Sequence, residues 1–229
     1  MEINESRICV ILARAGSKRL PHKNLQKING KTLVEYAINC CIENKITTIV
    51  SSDSNEILDH IKSKAVICHK RSEVNSNDST SSEQAILEVL KFYNISSNTE
   101  VLLIPPTNPL RKAEDLKFFI NQWEIIAKPN GHKQAFSVLS LKNDFWYQKE
   151  GSIKRVRDVI FKTIEPRFTN KRENIFLETS AIYLTYADVL YSGLSLVGSD
   201  PFPIELSKIA SIDIDSEIDL EIARKLMAE

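Results

Sequence analysis

Two kinds of segment alternate along the first hundred residues, and this alternation restricts the fold more than any other feature of the chain. Short runs dominated by apolar and β-branched residues, "ICVILA", "TTIVSS", "AVICH" and "VLLI", are separated by longer stretches with apolar residues at helical spacing. Those stretches are Leu33–Asn44, a segment from about Asn55, and Ser81–Tyr93. A strand without a polar face has to be covered on both sides, and an amphipathic helix has one face to bury. Both demands are met by an α/β fold: a mostly parallel, doubly wound sheet with helices on each side. With 229 residues, 42% hydrophobic and 26% charged, the chain has the size of a single such domain with a small insertion.

The pattern loosens between about residues 130 and 194, where "AFSVLSL" and "SAIYLTY" flank the charged stretch "KEGSIKRVRD". This region reads as an insertion standing off the main sheet. Phe145, Trp146 and Tyr147 give it apolar rings, either to line a substrate pocket or to pack an interface. The alternation resumes in "IASIDIDSEIDLEIARKLM", read as a strand ending in acids and followed by a helix. The polar "SEVNSNDSTSSE" reads as a loop running into a helix start.

Thirty basic residues balance thirty acidic ones, so no global field marks a nucleic-acid or membrane binder, and no recognised nucleic-acid module is present. The N-terminal "MEINESR" is polar, and no apolar run approaches the roughly 20 residues that span a bilayer. Neither a signal peptide nor a membrane helix is expected, and the cytoplasm is the expected compartment. Cys9, Cys40, Cys41 and Cys68 lack CxxC spacing and read as reduced core residues, while His22, His60, His69 and His132 show no metal-ligand spacing.

Ligands of an open α/β sheet bind at the carboxyl ends of its strands, so the residues just after Ala13, Ser52, Ile104 and Ile214 should converge on one crevice. The loop "RAGSKRLPHKN" places Arg14, Lys18, Arg19, His22 and Lys23 within ten residues of one another. Gly16 permits tight backbone geometry there, and neighbouring amides can cup an anion, so the loop suits a polyanion. It is neither a Walker loop nor a GxGxxG turn. In "SIDIDSEIDL", Asp213 and Asp215 are two apart on a strand and share a face, as a hard cation bound partly through substrate phosphates requires. Ser216 and Asp219 read there as a capping box. "IPPTNPLR" is a proline-stiffened turn opening on Arg111, and "KRSEVNSNDSTSS" offers Arg71, Asp78 and Ser82.

Taken together, "ILARAGSKRLPHKN", "PPTNPLR", "SAIY" and "SIDIDSEIDL" resemble, in the same order and over nearly the whole chain, the motifs of the CMP-sialic acid synthetase (acylneuraminate cytidylyltransferase) family. The resemblance implies a single Rossmann-like nucleotidyltransferase domain with a small inserted dimerisation element at about 130–194, and a homodimer. It implies CMP transfer from CTP, with Mg²⁺, to the anomeric hydroxyl of a 3-deoxy-2-keto sugar acid. Carried over by position, Arg14, Ala15, Gly16, Ser17, Lys18 and Lys23 hold the triphosphate. Asn24, Arg71, Asp78 and Ser82 serve the nucleoside, and Asp213 and Asp215 take the metal. Pro105, Thr107, Arg111, Arg167, Thr179 and Ser180 fall at the sugar acid.

Two departures point to an altered acceptor. Pro105 stands where the family's sialic acid enzymes carry a glutamine, and Thr179–Ser180 where an Asn-Gly pair is usual. The expected acceptor is therefore a relative of N-acetylneuraminate, such as a legionaminic or pseudaminic acid. The alternatives are an eight-carbon ulosonic acid, a phosphonate, or a non-catalytic CTP-binding homologue.

Overall fold

The computed structural model describes residues 3–77, 79–162 and 173–228. In chain order its elements are β1 (Arg7–Leu12), β2 (Lys27–Ile28), β3 (Lys31–Thr32), α1 (Leu33–Glu43), β4 (Thr47–Ser52), α2 (Asn55–Ile61), β5 (Ile67–Lys70), α3 (Ser82–Phe92), β6 (Glu100–Leu103) and α4 (Ala113–Gln122). They continue with β7 (Gln134–Leu141), β8 (Trp146–Lys149), β9 (Ser152–Arg155), α5 (Val156–Ile160), β10 (Ile175–Tyr186), α6 (Ala187–Tyr191), β11 (Phe202–Glu205) and α7 (Glu217–Leu226).

Seven strands form one sheet in the order β5, β4, β1, β6, β10, β7, β11. Strands β5, β4, β1 and β6 are mutually parallel, β10 is antiparallel to both its neighbours, and β11 is parallel to β7. The central strand β1 shows why the sequence needs two helical layers. Ile8 and Val10 pack with Ile86, Val89 and Leu90 of α3, whereas Cys9 and Ile11 pack with Ile38 and Cys41 of α1 and Phe119 of α4. All four strand residues are fully buried, and each such aliphatic side chain contributes about 1.5–3 kcal/mol.

Three helices begin in capping boxes: Thr32 with Glu35 at α1, Ser81 with Gln84 at α3, and Ser216 with Asp219 at α7. A third apolar cluster joins Leu20, Ile28, Leu33 and Leu110 to Ile214, Leu220 and Ala223, so α7 is fastened beside the loop that follows β1.

Several expectations need correction. "AFSVLSL" and "SAIYLTY" lie in β7 and β10, inside the main sheet. Within the described part of the expected insertion, the β8–β9 hairpin forms its own two-stranded sheet. Residues 209–214 form no strand. Ile212 and Ile214 alternate with acids because they face the third apolar cluster, and the backbone pairs with a loop instead of a strand. Cys9, Cys40 and Cys41 are buried thiols, but Cys68 lies exposed on edge strand β5.

Candidate active site

The chain leaves β1 at Ala13, is exposed from Arg14 to Gly16, and re-enters the core at Leu20. Two hydrogen bonds shape this loop. The Ala15 amide donates to Asp53 Oδ1 at 2.8 Å, and Asn24 Nδ2 donates to the Arg14 carbonyl at 2.8 Å. Gly16 does not serve the tight geometry expected of it. Its φ lies outside the left-handed region, and a Cβ there would meet no atom within 4 Å. Its bare backbone instead faces a cavity and leaves room for a ligand to approach closely.

That cavity, of about 370 Å³, is lined by Arg14, Gly16, Ser17, Lys18, Arg19, Lys23 and Asn24. Arg14, Lys23 and Asn24 also belong to the wall of a second cavity of about 330 Å³, where Leu12, Arg71, Asn75, Asn77, Thr80, Ser81, Ser82, Ala85, Pro105, Pro106 and Thr107 complete the lining. The shared residues make one cleft with a cationic half and a half in which uncharged hydrogen-bonding side chains surround Arg71. A nucleotide, with an anionic phosphate half and a hydrogen-bonding nucleoside half, is the complement of these two halves. Arg71 is buried, and its guanidinium donates from Nε to Ser51 Oγ at 3.1 Å and from Nη2 to the Ser51 carbonyl at 2.8 Å. Burial pushes its pKa down, against the opposing influence of Asp53 and Glu88.

The acidic pair, from the far end of the chain, stands beside the cleft through Lys23 and lines neither cavity wall. The Ile214 amide donates to the Thr107 carbonyl at 2.8 Å, and Asn108 Nδ2 donates to the Ile212 carbonyl at 3.2 Å, stitching "SIDID" to the proline turn. Asp215 Oδ1 accepts from Lys23 Nζ at 3.0 Å, while its Oδ2 pairs with Arg19 Nη2 at 2.8 Å. Asp213 is different, since its buried Oδ1 has no hydrogen-bond partner. Burial pushes its carboxyl above the usual range; Thr107 and Lys23 oppose the shift and Asp215 adds to it. A buried, unpaired carboxylate oxygen is costly, and a cation removes the cost. Among the described residues no group of three or more metal-ligating side chains forms. Two carboxylates therefore suit a hard divalent ion that keeps waters and takes further ligands from phosphates.

The expected sugar-acid residues are placed less uniformly. Pro105 and Thr107 line the cleft. Arg111 does not: it is 3% exposed, with Nη1 donating to the Ala181 carbonyl at 2.6 Å and Nη2 to the Pro105 carbonyl at 3.2 Å. It braces the proline turn against β10. Thr179 and Ser180 sit in a bulge of β10, outside both cavity walls. Thr179 Oγ1 donates to Ser137 Oγ at 2.8 Å, and the same oxygen accepts from the Ala181 and Ile182 amides at 3.1 and 2.9 Å. Asp78 and Arg167 lie outside the described residues.

Sequence reasoning missed Asp53, Asn75 and Ser137. Asp53 carried a signal, because it directly follows strand β4. Ser180 adopts φ 54°, a left-handed conformation that a residue with a Cβ pays for in strain. Ser180→Gly is expected to stabilise the protein by about 1 kcal/mol, raising Tm by roughly 2–4 °C. A thermal melt showing no rise would mean that the bulge holds Ser180 without strain.

A further cavity, of about 630 Å³, lies at the opposite end of the strands. Its charges are paired with one another, Lys128 with Glu100 at 2.8 Å and Lys133 with Asp188 at 2.7 Å, and it reads as a structural network.

A mostly parallel sheet with a cationic loop and a polar pocket at the carboxyl ends of its strands, and a carboxylate pair beside them, suits a nucleotidyltransferase. The profile of the family described as cytidylyltransferase matches residues 8–227. The chain belongs to that family, and it is an enzyme of the CMP-sugar acid synthetase type. It is 30% identical, over 96% of its length and 95% of the relative's, to CMP-N,N'-diacetyllegionaminic acid synthase of Legionella pneumophila. It is 28% identical over 94% of its length to N-acylneuraminate cytidylyltransferase A of Danio rerio, of which it matches 49%. Among solved structures, CMP:2-keto-3-deoxy-manno-octonic acid synthetase complexed with CTP superposes with a TM-score of 0.69 at 16% identity, covering 98% of this chain and 99% of that one. 4-Diphosphocytidyl-2C-methyl-D-erythritol synthase superposes with a TM-score of 0.65 at 15% identity, covering 98% of this chain and 100% of that one.

Proposed function

We propose that the protein transfers CMP from CTP to the anomeric hydroxyl of a nine-carbon 3-deoxy-2-keto acid of the legionaminic class. The observation that carries this reading is the joining of the cationic and nucleoside cavities at Arg14, Lys23 and Asn24, with Asp213 and Asp215 beside them. The sugar hydroxyl attacks the α-phosphorus and gives its proton to solvent water, the bond to the bridging oxygen breaks, and pyrophosphate leaves with the charge that develops on it. Arg14, Lys18 and Lys23 bring positive charge to that leaving group, which favours the transition state over the bound substrate to the extent that the charge develops there. Arg71, Ser82 and the proline turn orient the nucleoside so that the attack is in line.

Asp213 and Asp215 would hold Mg²⁺, which when bound supplies further neutralisation of phosphate charge. The acceptor assignment is supported by Pro105, which brings no side-chain donor to the wall where a glutamine would, and by the 30% identity to the legionaminic acid synthase. A homodimer built on the hairpin fits the exposure of Phe145, Trp146, Tyr147 and Ile153, with Phe176 and Leu177 exposed on β10.

The test is pyrophosphate release from CTP and Mg²⁺ with each acid supplied separately. N,N'-Diacetyllegionaminic acid is expected to give a kcat/KM at least about tenfold above that with N-acetylneuraminate, the discrimination that about 1.4 kcal/mol of differential contact supplies. Preference for N-acetylneuraminate or for an eight-carbon acid would overturn the acceptor assignment.

A further inference from the structure

The nucleoside half of the cleft is walled by a polar loop with little of its own to hold it. Residues 72–80, between β5 and α3, are rich in Ser and Asn, and Val74 in their midst is 79% exposed. Within the loop the bonds are local: Ser76 Oγ donates to the Ser72 carbonyl at 2.6 Å, and Asn77 Nδ2 donates to the Val74 carbonyl at 2.7 Å. Among the described residues, every hydrogen bond that residues 72–76 make beyond the loop goes to one side chain, Glu88 of α3.

Glu88 uses both oxygens. Oε1 accepts from the Ser72 amide at 2.7 Å and lies 3.3 Å from His69 Nε2; Oε2 accepts from Ser72 Oγ at 2.7 Å and from Asn75 Nδ2. His69 is 2% exposed and wedged edge-on against Phe92 and Tyr93, so this anchor is rigid. Asn75 stands on the pocket wall, and the carboxylate is bonded to it from behind. Glu88 itself lines neither the nucleoside cavity nor the cationic one.

We propose that Glu88 is the positioning residue of the nucleotide pocket, holding the 72–77 loop in its binding shape before the nucleotide arrives. A loop so prepared loses less conformational freedom on binding. Without the tie, the competent loop becomes one state among several, and the apparent Kd rises in inverse proportion to its population. Glu88→Gln keeps the shape of the side chain but presents an amide N–H₂ to donors that need an acceptor, breaking about half of the set.

This inference rests on the cytidylyltransferase reading, so the first measurement needs no sugar acid: calorimetric titration of CTP into wild type and E88Q. The variant is expected to bind CTP about tenfold more weakly, the loss that a competent fraction of about one tenth produces. In steady-state assays KM for CTP should rise similarly, with kcat at saturating CTP within about twofold and KM for the sugar acid unchanged, because Glu88 lines neither cavity. Should E88Q fold poorly, Asn75→Ala severs the tie from the loop side. It should weaken CTP binding comparably, and the double variant should be no weaker than the weaker single one. E88Q binding CTP as tightly as wild type, or moving kcat and both KM values together, would overturn the inference while leaving the function in place. A wild type that binds no CTP would overturn both.

Discussion

Asp213→Asn is expected to lower kcat about a thousandfold, equivalent to about 4 kcal/mol of transition-state stabilisation, with the fold retained. The substitution replaces a carboxylate by an amide of the same shape, at a position where Oδ1 is buried and bonds to nothing. The free-energy sign can be followed without turnover. Burial raises the carboxyl's pKa, opposed by Thr107 and Lys23 and reinforced by Asp215, so the folded state keeps this proton to higher pH than the unfolded chain. Without a cation, this residue's contribution to stability therefore falls as pH rises from the ordinary Asp pKa through the raised one. The amide of the variant does not titrate, and that part of the slope should vanish with it. Mg²⁺ should raise the wild-type Tm above that window and leave the variant's unchanged. Wild-type kcat in Asp213→Asn, or an equal Mg²⁺ response in both proteins, would remove Asp213 from the metal site.

Lys23→Ala should reduce kcat/KM by about a hundred- to a thousandfold, the loss typical of removing one preorganised donor from a developing oxyanion. Lys23 lines both cavities and also touches the acidic pair, with Nζ 3.0 Å from Asp215 Oδ1 and its side chain 18% exposed. Its ammonium therefore stands where the two cavities and the carboxylates meet. Lys23→Arg should recover only part of the loss, because a planar fork cannot replace a compact ammonium in a partly enclosed site. Parallel rates for Lys23→Ala and wild type would place the leaving-group charge elsewhere.

Most of the site could be read from the sequence because its residues sit at strand ends. Arg14 and Lys23 lie in the loop after a strand whose apolar content marks it, and a mostly parallel sheet gathers such ends at one edge; Asp53, which follows β4, could have been found the same way. What could not be read depends on partners distant in the chain. Arg111, carried to the sugar acid by the family resemblance, has its Nη atoms taken by two backbone carbonyls, one of them 70 residues away, and its buried Nε has no partner among the described residues. Ser137 is an ordinary strand serine until the bulge of β10 brings two amides to its hydroxyl. The Ile-Asp alternation of residues 212–215 has the period of a strand, and the burial of one side is real. Its backbone nevertheless bonds to Thr107, and local periodicity carries no sign of that. Edge strand β11 carries Pro203, which a central strand would not tolerate and which weakens any strand signal.

The bond between Lys23 and Asp215 spans 192 positions, and this separation has a consequence during synthesis. Every described residue of the nucleoside pocket lies between Leu12 and Thr107, so its parts have all been translated when the ribosome has finished about half the chain. Asp213 and Asp215 are added more than a hundred codons later, about 5–20 s at ordinary elongation rates. A nascent or truncated chain could thus offer a base-recognising half-site without the acids that complete it. The chemistry is withheld until the last helix, α7, has docked on the loop that was made first.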